Sequence, residues 1–107
     1  MNEPYDILKA FGITEASDGA VWFLELVWEL AAAWDHGRRI GVMGEITKQW
    51  QSKGIHPRAY YAKIRAALAP IIQASGEELA AWGLYPEKRT IPSLAYAVAT
   101  WMISKPG

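Results

Sequence analysis

The chain contains no cysteine. That excludes a disulfide scaffold, a thiolate zinc site and a cysteine nucleophile, and it suits a reducing compartment. Histidine is nearly as scarce. His36 and His56 stand twenty residues apart, and neither pairs with an acid at metal-ligand spacing. No metal and no cofactor is expected. Apolar runs stop short of the ~18 residues that would span a membrane. The opening Met1-Asn-Glu-Pro-Tyr-Asp6 is acidic and lacks the charged-then-apolar pattern of a secretion signal. The expectation is a cytoplasmic protein with no membrane partner.

Catalytic machinery is missing as well. Ser17, Asp35 and His36 are present, but nothing in the sequence brings them together. Glu25, Glu29 and Asp35 read as a wet helix face rather than as paired carboxylates. No glycine-rich phosphate loop occurs. An enzyme is not expected, and no catalytic residue is assigned.

Net charge is zero, yet the charge is unevenly spread. Residues 1–37 carry one lysine, Lys9, against seven acids: Glu3, Asp6, Glu15, Asp18, Glu25, Glu29 and Asp35. Residues 38–65 reverse this, with Arg38, Arg39, Lys48, Lys53, Arg58, Lys63 and Arg65 against Glu45 alone. Attraction to phosphate is local, being screened within about 10 Å at 0.1 M salt, so the segment matters more than the total. The basic segment suits nucleic-acid binding. The alternative is a solvated basic face that only balances the acidic helix before it.

What is present is helical periodicity. With 107 residues, 51% of them hydrophobic, the chain is long enough for one domain, 1–107, with a core. No strand-like alternation persists, which predicts an all-α fold of about six helices. The first spans about 3–11, with Pro4 in its first turn and Gly12 ending it. The second and longest spans about 18–36. Phe23, Val27, Leu30 and Trp34 form its apolar stripe, with Leu24, Trp28 and Ala31 beside it. The third runs about 42–53 with the stripe Val42, Ile46 and Trp50, and Gly54 turns the chain. The fourth occupies about 57–69 and places Tyr60, Ile64, Ala67, Leu68 and Ile71 on one side. Pro70 should end or kink it. Ser75-Gly-Glu-Glu78 is a capping-box pattern for a short fifth helix ending at Gly83. Leu84–Arg89 reads as a loop, and Pro92 opens a last helix bearing Leu94, Val98, Trp101 and Met102.

Two short amphipathic helices around a glycine turn, the second opened by Pro57, outline a helix-turn-helix. On the second helix, Arg58 and Arg65 project on one polar flank and Lys63 on the other. Ala59, Ala62, Ala66 and Ala69 lie between them. Arginine reads guanine in bidentate fashion, and alanine permits close approach and contact with thymine methyl groups. Arg58, Tyr61 and Arg65 are expected to face bases of double-stranded DNA. Arg38, Arg39, Lys48, Lys53 and Lys63 are expected to hold phosphates. The six tryptophans mostly fall on apolar stripes and read as core; Trp22 lies off the stripe and is expected to be exposed at a partner interface.

Several segments resemble one family from end to end. They are Ile7-Leu-Lys-Ala-Phe-Gly-Ile13, Gly19-Ala-Val-Trp-Phe-Leu24, Gly44-Glu-Ile-Thr-Lys48, Lys63-Ile-Arg-Ala-Ala-Leu68 and Lys88-Arg-Thr-Ile-Pro-Ser93. In order and spacing they resemble the C-terminal effector domain of the master sporulation response regulator of spore-forming Firmicutes. The resemblance implies a six-helix helix-turn-helix fold and DNA binding in transcription control. That family's recognition helix uses a glutamate-arginine pair and an arginine three residues on. Here Tyr61-Ala62 occupies the pair and Arg65 matches the last arginine. The family's particular DNA sequence is therefore not expected to carry over. A second reading keeps the fold without base reading. In it, the acidic second helix and the basic segment serve self-association, as a homodimer or head to tail, or contact with a protein partner.

Overall fold

The structure is a computed structural model that describes residues 1–104. Those residues form seven helices and no strand. The helices are α1 (Pro4–Ala10), α2 (Asp18–Asp35), α3 (Val42–Ser52), α4 (Pro57–Ala67), α5 (Ala69–Ile72), α6 (Gly76–Ala81) and α7 (Ile91–Ile103). The all-α expectation holds. The count exceeds six because Pro70 restarts a helix instead of stopping one. Proline in a first turn gives up an N–H that has no intrahelical partner anyway. The chain tightens at Leu68, whose carbonyl accepts from both Ile71 and Ile72 at 2.9 Å, and α5 follows directly.

Capping residues set most boundaries. Ser17 caps α2, Thr90 caps α7, and His56 caps α4 through Nδ1, which accepts from the Arg58 N–H at 3.1 Å. The capping box of α6 is complete, with Glu78 N–H to Ser75 Oγ at 3.1 Å and Ser75 N–H to Glu78 Oε1 at 3.2 Å. Asn2 ties the two ends of the fold together. Its N–H donates to Met102 O at 2.7 Å and its side-chain amide to Trp101 O at 2.8 Å, satisfying carbonyls that the end of α7 leaves open.

Helix α2 runs through the middle and packs most broadly on α7 and α4, then on α3. Its buried face is Ala20, Phe23, Leu26, Val27, Leu30 and Ala31. It meets Ile46 of α3, Tyr60 and Ile64 of α4, Leu68, and Leu94, Val98 and Met102 of α7 in one cluster. Two residues depart from the expected stripe. Leu26 is fully buried, whereas Trp28 turns outward and is 38% exposed. Because α7 covers α2 from one side and α4 from the other, the buried arc is centred on Phe23–Val27–Leu30, and Trp28 falls beyond its edge.

Candidate nucleic-acid interface

The pair α3–α4 is built from two stripes and one turn. Ile46 is buried, with Val42 and Trp50 half-buried beside it; on α4, Tyr60 and Ile64 face the same core, followed by Leu68. Four residues, Lys53–His56, connect the helices. Gly54 sits there at φ 66°, in the left-handed region that only glycine enters freely. Its N–H reaches Gln51 O at 3.0 Å, and the Ile55 N–H reaches Trp50 O at 3.2 Å. These two bonds are a Schellman turn, which closes the carbonyl end of α3 and throws the chain into α4.

The outer face of α4 is Arg58, Ala59, Ala62, Arg65 and Ala66, all exposed, with Tyr61 half-buried. Arg58, Tyr61, Ala62 and Arg65 form one wall of an open groove of about 690 Å³. The opposite wall is Glu87, Lys88, Thr90, Pro92 and Ser93, the segment that leads into α7. Arg89 holds that wall in place. Its Nη1 donates to Ala74 O at 2.8 Å and to Ile71 O at 3.2 Å, tying the loop to the end of α5 and leaving the neighbouring Lys88 beside α4. Among the described residues, Arg58, Arg65 and Lys88 make no ion pair. Burial raises the Tyr61 phenol above its ordinary pKa, so at neutral pH it is a hydroxyl donor. Three free cations, a phenol and the Thr90 and Ser93 hydroxyls make a groove suited to an anionic, hydrogen-bonding ligand.

The expected phosphate contacts do not all join this groove. Lys53 and Lys63 lie on the other side of α4. Lys53 Nζ pairs with Glu25 at 3.1 Å and its side chain is only 18% exposed; Lys63 Nζ pairs with Asp18 at 3.6 Å. Both ammonium groups also sit over the Trp22 ring, at 5.6 and 5.9 Å from its centroid. Trp22 itself stacks on Tyr60 with centroids 5.8 Å apart and planes 6° from parallel. The expectation of an exposed Trp22 is thus corrected: off-stripe on α2, it is half-buried because α4 and the two lysines cover it. Part of the attraction between the acidic helix and the basic segment is satisfied inside the chain.

Arg38, Arg39 and Lys48 are exposed elsewhere. Arg38 and Arg39 follow α2 in a loop pinned by Trp34 Nε1, which donates to Ile40 O at 2.8 Å. Arg39 lines a separate apolar recess with Trp34, Ile40, Tyr96 and Ile103. Of the eight expected DNA contacts, only Arg58, Tyr61 and Arg65 share the groove. Lys88, Thr90 and Ser93, to which sequence reasoning gave no binding role, share it with them. The cap at Thr90 and the dibasic Lys88-Arg89 are visible in the sequence. The fold-back onto α4 depends on the Arg89 contacts to α5 and has no local signal.

Both histidines are engaged at helix ends. His36 Nδ1 lies 2.8 Å from Ala32 O, and His56 caps α4. Among the described residues, no group of His, Asp and Glu side chains is placed to hold a metal ion, and no helix is long and apolar enough to cross a membrane. Compared with known proteins, the chain matches no family model, no curated protein and no solved structure.

Proposed function

We propose that this chain is a DNA-binding transcription-regulator domain of the sporulation-effector type, with α3 and α4 as its helix-turn-helix and α4 in the major groove. One observation carries the reading. Arg58 and Arg65 stand free of ion pairs on an alanine-rich helix face and share an open groove with Lys88. An alanine face lets the helix approach the base edges, and unpaired arginines are available to guanine. Lys88 and the hydroxyls of Thr90 and Ser93 serve the phosphates flanking α4. Titrating the protein with random-sequence duplex at several salt concentrations tests the reading. Binding should weaken steeply with salt. Absence of salt-dependent binding at protein concentrations of about 0.1 mM, near-physiological ionic strength included, sinks it.

The second reading, a protein-interaction domain, draws support from Trp28, 38% exposed on an acidic helix face. The same titration separates the two, since that domain would ignore duplex DNA at all salt concentrations.

A further inference from the structure

Helix α2 has an outer face that nothing in the chain covers. Val21 and Trp28, each 38% exposed, stand seven residues apart with Leu24 between them. That spacing is the seam of a helix that packs along another helix. Glu15, Glu25, Glu29 and Gln49 border the seam, forming with it a shallow groove of about 440 Å³. Glu25 is engaged by Lys53, but Glu15 and Glu29 make no ion pair among the described residues. This is an apolar ridge with free negative charge on its rim.

The complementary surface is present on the same molecule. The groove beside α4 offers Tyr61, Ala62 and Pro92 as apolar floor, with Arg58, Arg65 and Lys88 as free positive charge and Glu87 as its one acid. We infer that the Val21–Trp28 ridge of one copy docks into the α4 groove of a second copy, head to tail. Charge selects this pairing. Ridge against ridge would set Glu29 and Glu15 against their own images, and groove against groove would set Arg58 and Arg65 against theirs. Only ridge into groove brings opposite charges together while covering Trp28 with Tyr61 and the alanine face. The contact is heterologous, so each copy keeps one unused ridge and one unused groove, and the assembly grows as an open chain unless its rotation closes a ring. Docking also covers the face proposed for DNA, so an assembled copy cannot present Arg58 and Arg65 to a duplex. The association itself requires only the groove's cations and stands apart from the DNA reading.

Sedimentation velocity on the full chain, from micromolar to millimolar and at low and high salt, tests it. Species larger than a dimer should appear with concentration and recede with salt. Trp28→Ala and Glu29→Arg should each raise the association constant for dissociation about tenfold or more, a change of about 1.4 kcal/mol. The decisive arm is a mixture. Glu29→Arg keeps an intact groove and Arg65→Glu keeps an intact ridge. Each alone should stay monomeric, and together they should form a one-to-one dimer that grows no further. Both substitutions are at exposed positions, and circular dichroism checks that each variant folds. A wild-type chain that stays monomeric at millimolar concentration overturns the inference. So does a closed dimer, or a mixture that fails to pair. Adding duplex DNA separates the two readings: assemblies that form but do not dissolve with DNA uphold the docking and fail only the DNA proposal.

Discussion

Gly19 of α2 lies directly against the carbonyl of Lys63 on α4. A Cβ built at Gly19 would collide with the Lys63 oxygen, lie 2.6 Å from its carbonyl carbon and press the Ala67 methyl at 3.0 Å. The crossing of α2 over the outward-facing helix is therefore set by a missing side chain. The obstacle is backbone, so no rotamer change relieves it.

Gly19→Ala should destabilise the protein even though alanine is the better helix former. Propensity favours alanine by about 1 kcal/mol at most, whereas overpacking typically costs about 1–3 kcal/mol. Gly44, on α3, is the control, since a Cβ there meets nothing within 4 Å. Gly44→Ala should stabilise by about 0.4–1 kcal/mol. Opposite signs in paired urea melts are expected; equal signs would show that α2 and α4 do not cross this closely.

Leu68 and Arg58 provide a test of helix facing. Leu68 is 0% exposed and belongs to the core cluster, while Arg58 is exposed in the groove. Leu68→Ala should cost about 2–5 kcal/mol through lost burial and a residual cavity. Arg58→Ala should fall within about 0.5 kcal/mol of wild type. Similar melts for the two variants would mean that α4 is turned the wrong way.

Tyr60 is fully buried, and its hydroxyl finds no hydrogen-bond partner among the described residues. Burial, reinforced by Glu25, Tyr61 and Glu45, pushes its pKa well above the ordinary 10.0. The folded state then holds a proton that the unfolded state gives up as pH passes 10. Stability from this group is fully present below pH 10 and is lost above it, by about 1.4 kcal/mol per pH unit once the proton difference is complete. Tyr60→Phe should flatten that alkaline loss. At neutral pH it should raise stability by about 1 kcal/mol, because an unpaired buried hydroxyl is removed and the ring on Trp22 is kept. Chemical melts at pH 7 and at pH 10.5–11 give both numbers, with pH about 10 as the unfolded reference. A destabilised Tyr60→Phe at pH 7 would show that the hydroxyl does have a partner, a bridging water.

Local signals in this sequence were legible and tertiary ones were not. Ser75 and Glu78 define a cap within four residues, and Gly54 marks a turn that requires positive φ, so both could be read directly. Ile46, Ile64 and Leu68 follow helical spacing, and all three are buried. Pro70 misled because its chemistry fits a helix start as well as a helix end. Trp22 and Trp28 exchanged roles because exposure depends on which helices cover α2, and periodicity alone does not say where that cover ends. The site was half legible. Arg58 and Arg65 share a helix flank by spacing alone, but Lys88 reaches them through Arg89, and Lys53 is drawn away by Glu25, twenty-eight residues earlier.

That last contrast yields the sharpest test of the DNA proposal. Arg65→Ala should weaken binding to a preferred duplex by about 1–3 kcal/mol and relax preference at one base position, as expected for a bidentate arginine. Lys88→Ala should weaken all sequences alike and lower the salt slope by about one unit, as expected for one phosphate contact. Lys53→Ala should do neither. Its ammonium already pairs with Glu25 at 3.1 Å and lies over Trp22, so few counterions remain for it to displace. Salt-titrated binding of the three variants, with selection for preferred sequences, separates these outcomes. If Lys53→Ala lowered the slope while Lys88→Ala left it unchanged, the duplex would lie on the α2 side of α4. The groove of Arg58, Arg65 and Lys88 would then not be the DNA site.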